Sequence, residues 1–400
     1  MKIIVYSHDA FGLGNIRRML AICKYLQQNI PSVSILVISG SPAIHSFRIP
    51  HGLDYIKLPC ISRDFQGVMN PSYLETDLNQ LLQLRSDLIK TTIINFQPDL
   101  ILVDKKPYGL LDELRPALDY LKSNHYQTKL VLLLRDILDE PKTTIKEWQK
   151  HGYYQGINDY YDRVLIVGTP DIFDTAREYR FPLSLVEKTI FCGYIRKEMS
   201  QINPQLIREK LNLQPTEKLI VVTPGGGEDG YPLINNYLDC LALLDFPLKS
   251  LIILGREMPK GSQKALITKI AQTKNVVYLD FSTYLMNYLD AADLIVSMAG
   301  YNTITEILSL QRKVIAIPRS HPSLEQSIRV NQLEKLNLLT GLKFSELTPQ
   351  KLAELINLKI SDHTVSDYQV NFNGLLEIKK ELLNLLLENQ DSKYLIKNYG

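Results

Sequence analysis

The sequence predicts an α/β protein built from two Rossmann-like domains. Three observations predict this class: short β-rich apolar runs recur along the chain, helix-length periodic segments separate several of them, and one weakly periodic stretch divides the runs into two series. Strands that alternate with helices form mainly parallel sheets whose two faces are both covered. Each series therefore predicts one sheet, and we expect a ligand-binding cleft between the carboxyl ends of the two sheets.

The first series of apolar runs predicts an N-terminal domain that spans residues 1–197. Its predicted strands lie at 3–6, 34–38, 100–103, 130–134 and 164–167. Apolar positions with a helical period predict helices at 16–27 and 78–95, between these strands. The order of strands and helices is that of a doubly wound domain.

The second series predicts a C-terminal domain at residues 206–365. Its predicted strands lie at 219–223, 251–254, 276–279, 294–297 and 314–317. The boundary is placed in CGYIRKEMSQINPQ, residues 192–205, because this stretch has no strong period and carries a proline near its end. From 366 to 400 the chain again has an apolar helical face, which predicts a terminal helix.

Composition excludes several classes of protein. The chain has 45 basic and 43 acidic residues, so it lacks the charge excess of a nucleic-acid-binding protein. Its four cysteines are far apart and show no metal-ligand spacing, which predicts buried thiols in a reducing compartment. The longest apolar runs are too short to span a bilayer, and the early first strand leaves no room for a signal peptide. We therefore expect a soluble, cytoplasmic protein.

The first glycine-bearing loop lies in SHDAFGLGNIRRML, residues 7–20, between a predicted strand and a predicted helix. Gly12 and Gly14 fit a dinucleotide fingerprint, but the third glycine is replaced by Arg17. The second strand ends at Ile38-Ser39-Gly40 and offers no carboxylate for a ribose, which argues against NAD. A structural turn and a loop that lets a substrate approach remain open.

The second domain carries two stronger signals. In LIVVTPGGGEDGY a strand ends at Gly225–Gly227, where the missing Cβ atoms give a phosphate access to backbone N–H groups. No Gly-Lys-Ser/Thr follows, so this is not a P-loop, and a flexible turn is the alternative. In DLIVSMAGYNTITEIL, residues 293–308, a helix is expected to start near Asn302, which can cap it and leave N–H groups for an anion. Glu306 is then either a solvated carboxylate or a ligand of ribose hydroxyls.

The stretch SMAGYNTITE resembles the donor-site signature of GT-B glycosyltransferases, above all the family 28 (MurG-like) enzymes. It is also similar to the HCGWNSTLE core of plant secondary-product glucosyltransferases. The resemblance implies diphosphate contacts from Gly300, Asn302 and Thr303, and a ribose contact from Glu306. It further implies a second diphosphate contact at Gly225, Gly226 and Gly227, base reading at Phe281 and Ser282, and a donor-sugar contact from Glu325 and Gln326.

The N-terminal half resembles a group of bacterial family 28-like glycosyltransferases through SHDAFGLGNIRR, DLILVDKKPYGLL and LLLRDILDEP. The resemblance implies transfer of a sugar from a nucleotide-sugar, a UDP-sugar above all, to a small-molecule, glycan or lipid-linked acceptor. It implies a terminal helix that returns to the first domain, and at most peripheral contact with a membrane. Because no Asp-x-Asp motif occurs, we expect neither a metal nor a cofactor.

Two departures concern catalysis. Met298 stands where related enzymes often place His or Arg, and Asn15 stands where they commonly place the histidine base. Asparagine cannot take a proton at neutral pH, so another group must act as the base. The candidates for the base are His8 with Asp9, and Asp136; the residues expected on the acceptor side are Gly12, Gly14, Asn15 and Asp104.

Two further expectations complete the prediction. Residues 62–77, SRDFQGVMNPSYLETD, indicate a long mobile loop of the kind that sets acceptor choice. A nucleotide-sugar epimerase of GT-B shape and a non-catalytic nucleotide-sugar-binding partner subunit are the alternatives to a transferase. Asn15 makes the second alternative plausible.

Overall fold

A computed structural model describes residues 1–7, 14–63, 68–124, 127–196, 202–362, 364 and 366–399, with side chains to residue 388. The chain divides into two compact units. Unit 1 comprises Met1–Ile195 and Asn373–Gly400, and unit 2 comprises Arg196–Phe372. Each unit contains a parallel sheet with helices, which confirms the predicted α/β class.

Unit 1 is built on a seven-stranded parallel sheet in the order β3-β2-β1-β6-β7-β8-β9. In chain order the strands of the unit are β1 (Lys2–Ser7), β2 (Ser34–Ser39), β3 (Leu53–Lys57), β4 (Ile61–Arg63), β5 (Met69–Pro71), β6 (Leu100–Asp104), β7 (Lys129–Arg135), β8 (Arg163–Val167) and β9 (Thr189–Phe191). Of these, β4 and β5 form a separate two-stranded sheet. The strands at the centre of the sheet are buried almost throughout, because helices cover both faces.

The first two helices of unit 1 are long, and their bounds are close to those of the helices predicted at 16–27 and 78–95. They are α1 (Gly14–Asn29), α2 (Leu78–Phe96), α3 (Arg115–Ser123), α4 (Pro141–Lys150), α5 (Tyr153–Tyr160), α6 (Thr175–Glu178) and α7 (Leu183–Val186), with 3₁₀ turns at Ile44–Ser46 and Leu110–Asp112. Asp77 caps α2 by accepting hydrogen bonds from the N–H groups of Asn79 and Gln80.

Unit 2 is built on a six-stranded parallel sheet in the order β12-β11-β10-β13-β14-β15. Its strands are β10 (Lys218–Thr223), β11 (Leu248–Ile253), β12 (Val276–Leu279), β13 (Leu294–Met298), β14 (Val314–Ile317) and β15 (Thr340–Gly341). Its helices are α8 (Pro204–Lys210), α9 (Tyr231–Cys240), α10 (Lys260–Ala271), α11 (Leu285–Ala291), α12 (Tyr301–Ser309), α13 (Glu325–Lys335) and α14 (Pro349–Ser361), with 3₁₀ turns at Leu241–Leu243 and Phe344–Glu346.

The last helix, α15 (Gly374–Tyr399), belongs to unit 1. Its buried residues Ile378, Leu382 and Leu385 recur at helical spacing. The helix begins later than the predicted residue 366, because the preceding segment still belongs to unit 2. There the hydroxyl of Ser366 donates a hydrogen bond to the carbonyl of Leu336 at 2.6 Å.

Both sheets reverse their strand order next to their first strand. In unit 1, β1 lies between β2 and β6; in unit 2, β10 lies between β11 and β13. Ligands of open α/β sheets bind outside the carboxyl ends of the strands at such a switch point. In unit 2 this point lies beyond Thr223 and Met298, where β10 and β13 end.

The segment predicted as one long loop, residues 62–77, contains regular structure. Strands β4 and β5 pair antiparallel, with Ile61 opposite Pro71 and Arg63 opposite Met69. Ile61 is buried in a small cluster with Leu81 and Leu110, which fixes the first strand of this pair. Residues 64–67 of the segment lie outside the described residues.

The four cysteines are free and buried, as predicted. Burial raises the pKa of the Cys23 thiol to about 12 and does the same for Cys192 and Cys240. In the part of the chain that is described, we find no helix with the length and apolarity that a membrane span requires.

Candidate functional site

A glycine loop follows β10 at the switch point of unit 2. The amide of Gly225 donates to the hydroxyl of Thr223 at 3.2 Å, and the amide of Gly230 donates to the carbonyl of Gly227 at 3.1 Å. Gly227 has φ +101°, and a Cβ there would lie 2.5 Å from the carbonyl oxygen of Leu254. Only glycine fits this position, because the backbone of the loop comes close to the backbone at Leu254.

The neighbouring loop follows β11 and packs against the glycine loop. The amide of Glu257 donates to the carbonyl of Gly226 at 2.9 Å, and the Glu257 carboxylate lies next to Gly226. The Arg256 guanidinium lies over the Phe281 ring, 3.8 Å from its centroid. Sequence reasoning missed Arg256 and Glu257, although both follow a predicted strand at the same edge of the sheet.

Helix α12 starts beside these loops, and its cap differs from the prediction. Gly300, with φ −61° and ψ 142°, is the N-cap, and Tyr301 is the first helical residue. Asn302 therefore lies within the first turn and is not the cap. Apart from its two chain neighbours, a Cβ at Gly300 would meet no heavy atom of the described residues within 4 Å. The described residues thus leave space beside Gly300 at the start of the helix, and a helix N-terminus is a place where an anion is stabilised.

The glycine loop and α12 lie side by side. The Thr303 hydroxyl lies 3.0 Å from the point where a Cβ of Gly225 would stand, and Thr303 is only 9% exposed. Glu306 follows within the next turn of the helix and is half-buried. The fold therefore brings together two segments that the sequence predicted as diphosphate contacts, although some 75 residues separate them along the chain.

The pair Glu325-Gln326 opens α13 and is tied to the same edge of the sheet. Glu325 accepts from the Arg329 guanidinium at 3.0 Å, and that guanidinium also donates to the carbonyl of Ala299 at 3.1 Å. Gln326 is buried, and its side-chain oxygen accepts from the amide of Arg319 at 3.1 Å. The start of α13 is thus linked to the residue just before Gly300. Arg329 was not predicted, because a sequence does not show which arginine is buried.

The segment predicted to read the base follows β12. Phe281 and Ser282 are both half-buried. The Ser282 hydroxyl accepts from the amide of Tyr284 at 3.0 Å, which forms a turn before α11. This turn holds the backbone of the segment in place at the carboxyl edge of the sheet.

Charge around the site is mixed. The Arg319 guanidinium forms a 3.3 Å ion pair with Asp229 of the glycine loop, whereas Met298 at the end of β13 is buried and uncharged. Among the described residues, no group of three His, Cys, Asp or Glu side chains could hold a metal ion.

In unit 1, two residues predicted on the acceptor side lie together. Asp104, buried at the end of β6, accepts from the Arg18 guanidinium at 2.6 Å, and the same nitrogen donates to the Asn15 carboxamide at 3.3 Å. Gly14 is the first residue of α1, which carries Asn15. Sequence reasoning missed Arg18, although its place between Ile16 and Met19 puts a charge among buried positions. His8, Asp9 and Gly12 lie outside the described residues.

Asp136, one of the candidate bases, does not lie at the surface. It is fully buried, and its carboxylate accepts from the amide of Ile137 at 2.7 Å and from the Tyr194 hydroxyl at 2.5 Å. Gly168 packs against it so closely that a Cβ there would lie 2.5 Å from the Cβ of Asp136. The strand β7 ends at Arg135, and Gly168 and Tyr194 pack against the residue that follows it. This environment is that of a structural anchor.

A second buried charge cluster was also not predicted. Glu113 accepts two hydrogen bonds from the Arg85 guanidinium and one from the Tyr6 hydroxyl at 2.6 Å. Burial, together with the adjacent Glu113 carboxylate, raises the pKa of Tyr6 well above its usual value. The cluster joins β1, α2 and the segment KKPYGLLDEL, so its members act in packing.

Comparisons with known proteins identify the second unit. The family model described as "Glycosyltransferase family 28 C-terminal domain" matches residues 220–373. This range contains the glycine loop, the start of α12 and Glu325-Gln326.

Curated relatives carry the name UDP-N-acetylglucosamine--N-acetylmuramyl-(pentapeptide) pyrophosphoryl-undecaprenol N-acetylglucosamine transferase. The one from Fusobacterium nucleatum is 32% identical over 149 residues, which cover 37% of this chain and 39% of the relative. The one from Acetivibrio thermocellus is 26% identical over 369 residues, which cover 90% of each chain. The chain thus spans well under half the length of the first relative and nearly all of the second.

Solved structures agree on the fold. The glycotransferase of kitacinnamycin matches with a TM-score of 0.61 at 13% identity, and the match covers 98% of this chain and 97% of that chain. MurG from Acinetobacter baumannii has a TM-score of 0.59 at 13% identity and covers 97% and 99%. These structures show the GT-B fold, and the matched domain and the curated relatives make the chain similar to the family 28, MurG-like glycosyltransferases.

Proposed function

We propose that this protein transfers a sugar from a nucleotide-sugar, a UDP-sugar above all, to an acceptor hydroxyl. One observation carries the proposal: at the switch point of unit 2, the Gly225 backbone and Thr303 lie side by side in front of the open start of α12. Exposed N–H groups at a helix start and beside a glycine loop form a site for a diphosphate.

Each part of the donor has a proposed place in unit 2. The N–H groups of the glycine loop and of α12 hold the diphosphate and stabilise its charge as it leaves. Glu306, one turn into the helix, accepts from the ribose hydroxyls, and Phe281 and Ser282 read the base. Glu325-Gln326 contacts the sugar. The preference for uracil rests on the curated relatives, whose names specify UDP-N-acetylglucosamine.

We assign the acceptor and its base to unit 1. Asn15 cannot take a proton, Asp104 is committed to an ion pair with Arg18, and Asp136 is buried with its carboxylate engaged. His8, with Asp9 beside it, therefore stands first among the candidate bases. The acceptor is a small molecule, a glycan or a lipid-linked molecule. We further propose that the reaction proceeds in the cytoplasm and needs neither a metal nor a cofactor.

Calorimetry with UDP, GDP and TDP tests the donor site. Replacing Glu306 by Ala removes hydrogen bonds to a charged group, so we expect UDP affinity to fall by about 1.5–3 kcal/mol. Unchanged affinity would remove Glu306 from the site, and a clear preference for GDP or TDP would overturn the choice of uracil.

Turnover tests the reaction. His8→Ala should lower it by about 10²- to 10⁴-fold, the usual contribution of an acid–base group, and leave UDP affinity unchanged. Asn15→His shows whether a histidine at that position restores a base. Mass spectrometry separates the alternatives: an epimerised sugar with donor alone supports an epimerase, and binding without turnover under any acceptor supports a partner subunit. The curated relatives are transferases by name, which favours neither alternative.

A further inference from the structure

The proposed diphosphate site has a gap in its positive charge. Met298, the last residue of β13, is buried and uncharged, so the end of this strand supplies no cation. A leaving diphosphate gains from a fixed cation in addition to backbone N–H groups. A cation from another residue at the carboxyl end of the sheet could supply that charge.

Arg319 lies at the end of the adjacent strand. Met298 pairs with Ile317 across β13 and β14, and Arg319 follows Ile317 just past the end of β14. Its guanidinium forms an ion pair with Asp229 of the glycine loop at 3.3 Å, and its side chain is 36% exposed. The cation thus lies beside the loop and within reach of a ligand from solvent.

The backbone of Arg319 is fixed, whereas its head group is held loosely. The side-chain oxygen of Gln326 accepts from the Arg319 amide at 3.1 Å, and the Ser327 hydroxyl donates to the Arg319 carbonyl at 3.4 Å. The 3.3 Å ion pair is longer than the 2.7–2.9 Å typical of charge-assisted hydrogen bonds. The Nε–H of Arg319 is covered and has no hydrogen-bond partner among the residues that the structure describes. Contact with an anion from solvent must therefore come from the terminal nitrogens of the guanidinium, since the Nε–H is covered.

We propose that Arg319 binds the diphosphate of the donor and supplies the positive charge that Met298 does not. The inference rests on the proposed function and adds a residue to its site. Asp229 pairs with the guanidinium and holds it beside the glycine loop. The diphosphate has more negative charge and more acceptor oxygens than Asp229, so it replaces Asp229 as the partner of the guanidinium.

Calorimetry with UDP and with uridine, which lacks phosphates, tests this role. Arg319→Ala should weaken UDP binding by about 10- to 100-fold and leave uridine binding within about twofold, because only phosphate contacts are lost. Arg319→Lys should recover part of the UDP affinity. Arg312→Ala is the matched control: Arg312 is 38% exposed and pairs with Asp290 at 2.9 Å, but it precedes β14 at the opposite edge of the sheet. It should leave both affinities unchanged.

Asp229→Asn distinguishes an Arg319 that binds the diphosphate from an Arg319 that only holds the glycine loop in place. It breaks the same ion pair but keeps the cation, so UDP affinity should stay the same or rise. If Asp229→Asn reproduces the loss seen with Arg319→Ala, the pair only holds the loop and the inference fails. It also fails if Arg319→Ala leaves UDP binding unchanged or weakens UDP and uridine equally. Wild-type protein that binds none of UDP, GDP and TDP refutes the proposed function itself, and the role of Arg319 with it.

Discussion

Gly300→Ala tests whether a ligand closes on the start of α12. The substitution adds one methyl group in space where, apart from the two chain neighbours, no described heavy atom lies within 4 Å. Gly300 has φ −61° and ψ 142°, which alanine adopts without strain. Alanine is a poorer N-cap than glycine, but it also restricts the unfolded chain, so the free energy of unfolding should change by less than about 1 kcal/mol.

The effect on binding should be much larger. If a diphosphate oxygen approaches the first N–H groups of α12, the new methyl group blocks that approach and costs at least one charge-assisted hydrogen bond. Such a bond contributes about 1.5–3 kcal/mol, so UDP affinity should fall by about 10- to 150-fold. The variant thus separates binding from stability. Gly227→Ala does not, because its φ of +101° and the Leu254 carbonyl make the same change strained in the fold itself.

The assay is calorimetric titration with UDP beside urea unfolding of the same samples. Gly261→Ala is the matched control, since Gly261 also has open space around it but lies in α10, outside the segments assigned to the donor. It should leave UDP affinity unchanged and keep or raise stability. A Gly300→Ala protein that binds UDP as tightly as the wild type would show that no ligand reaches this helix start.

Three further predictions follow from the buried groups and the last helix. Asp136→Asn should lower the free energy of unfolding, measured with urea, by about 1–3 kcal/mol, and it should leave the turnover of the folded protein unchanged. Loss of turnover at unchanged stability would instead identify Asp136 as the base. The thiols of Cys23, Cys192 and Cys240, with pKa values raised from 9.0 to about 12, should react with a thiol reagent at pH 8 only after unfolding. Because the unfolded chain releases these protons first, stability should fall as the pH rises from 9 towards 12, and equal urea midpoints at pH 8 and pH 10.5 would contradict this. Removing residues 373–400 should uncover apolar surface of unit 1 and promote aggregation, and a truncated protein that stays monomeric in light scattering would contradict the role of α15 in that core.

Much of the fold could be predicted because central parallel strands are continuous apolar runs. The runs at 219–223 and 294–297 became β10 and β13 almost unchanged. Strands β3 and β9 were missed because they lie at the sheet edges, where exposure breaks the apolar pattern. The site was predictable where glycines and a helix start follow such runs in sequence.

The buried charges could not be predicted in the same way. Arg18 and Arg85 pair with carboxylates far away in the chain, Asp104 and Glu113, whereas Arg329 pairs with Glu325 on its own helix and reaches the Ala299 carbonyl only through the fold. Asp136 was misplaced for the same reason: the sequence shows where a strand ends but not that Tyr194 comes to cover it.

The buried Arg329 sets a condition on any attempt to redesign donor choice. It binds both the Glu325 carboxylate and the Ala299 carbonyl, so it joins the segment proposed for the sugar to the segment proposed for the diphosphate. Exchanging Glu325 alone to admit a different sugar would remove the negative charge beside a buried guanidinium, at a cost of about 3–5 kcal/mol. An engineer or a natural lineage must therefore alter positions 325 and 329 together, and new sugar preferences in this fold should arise as paired substitutions.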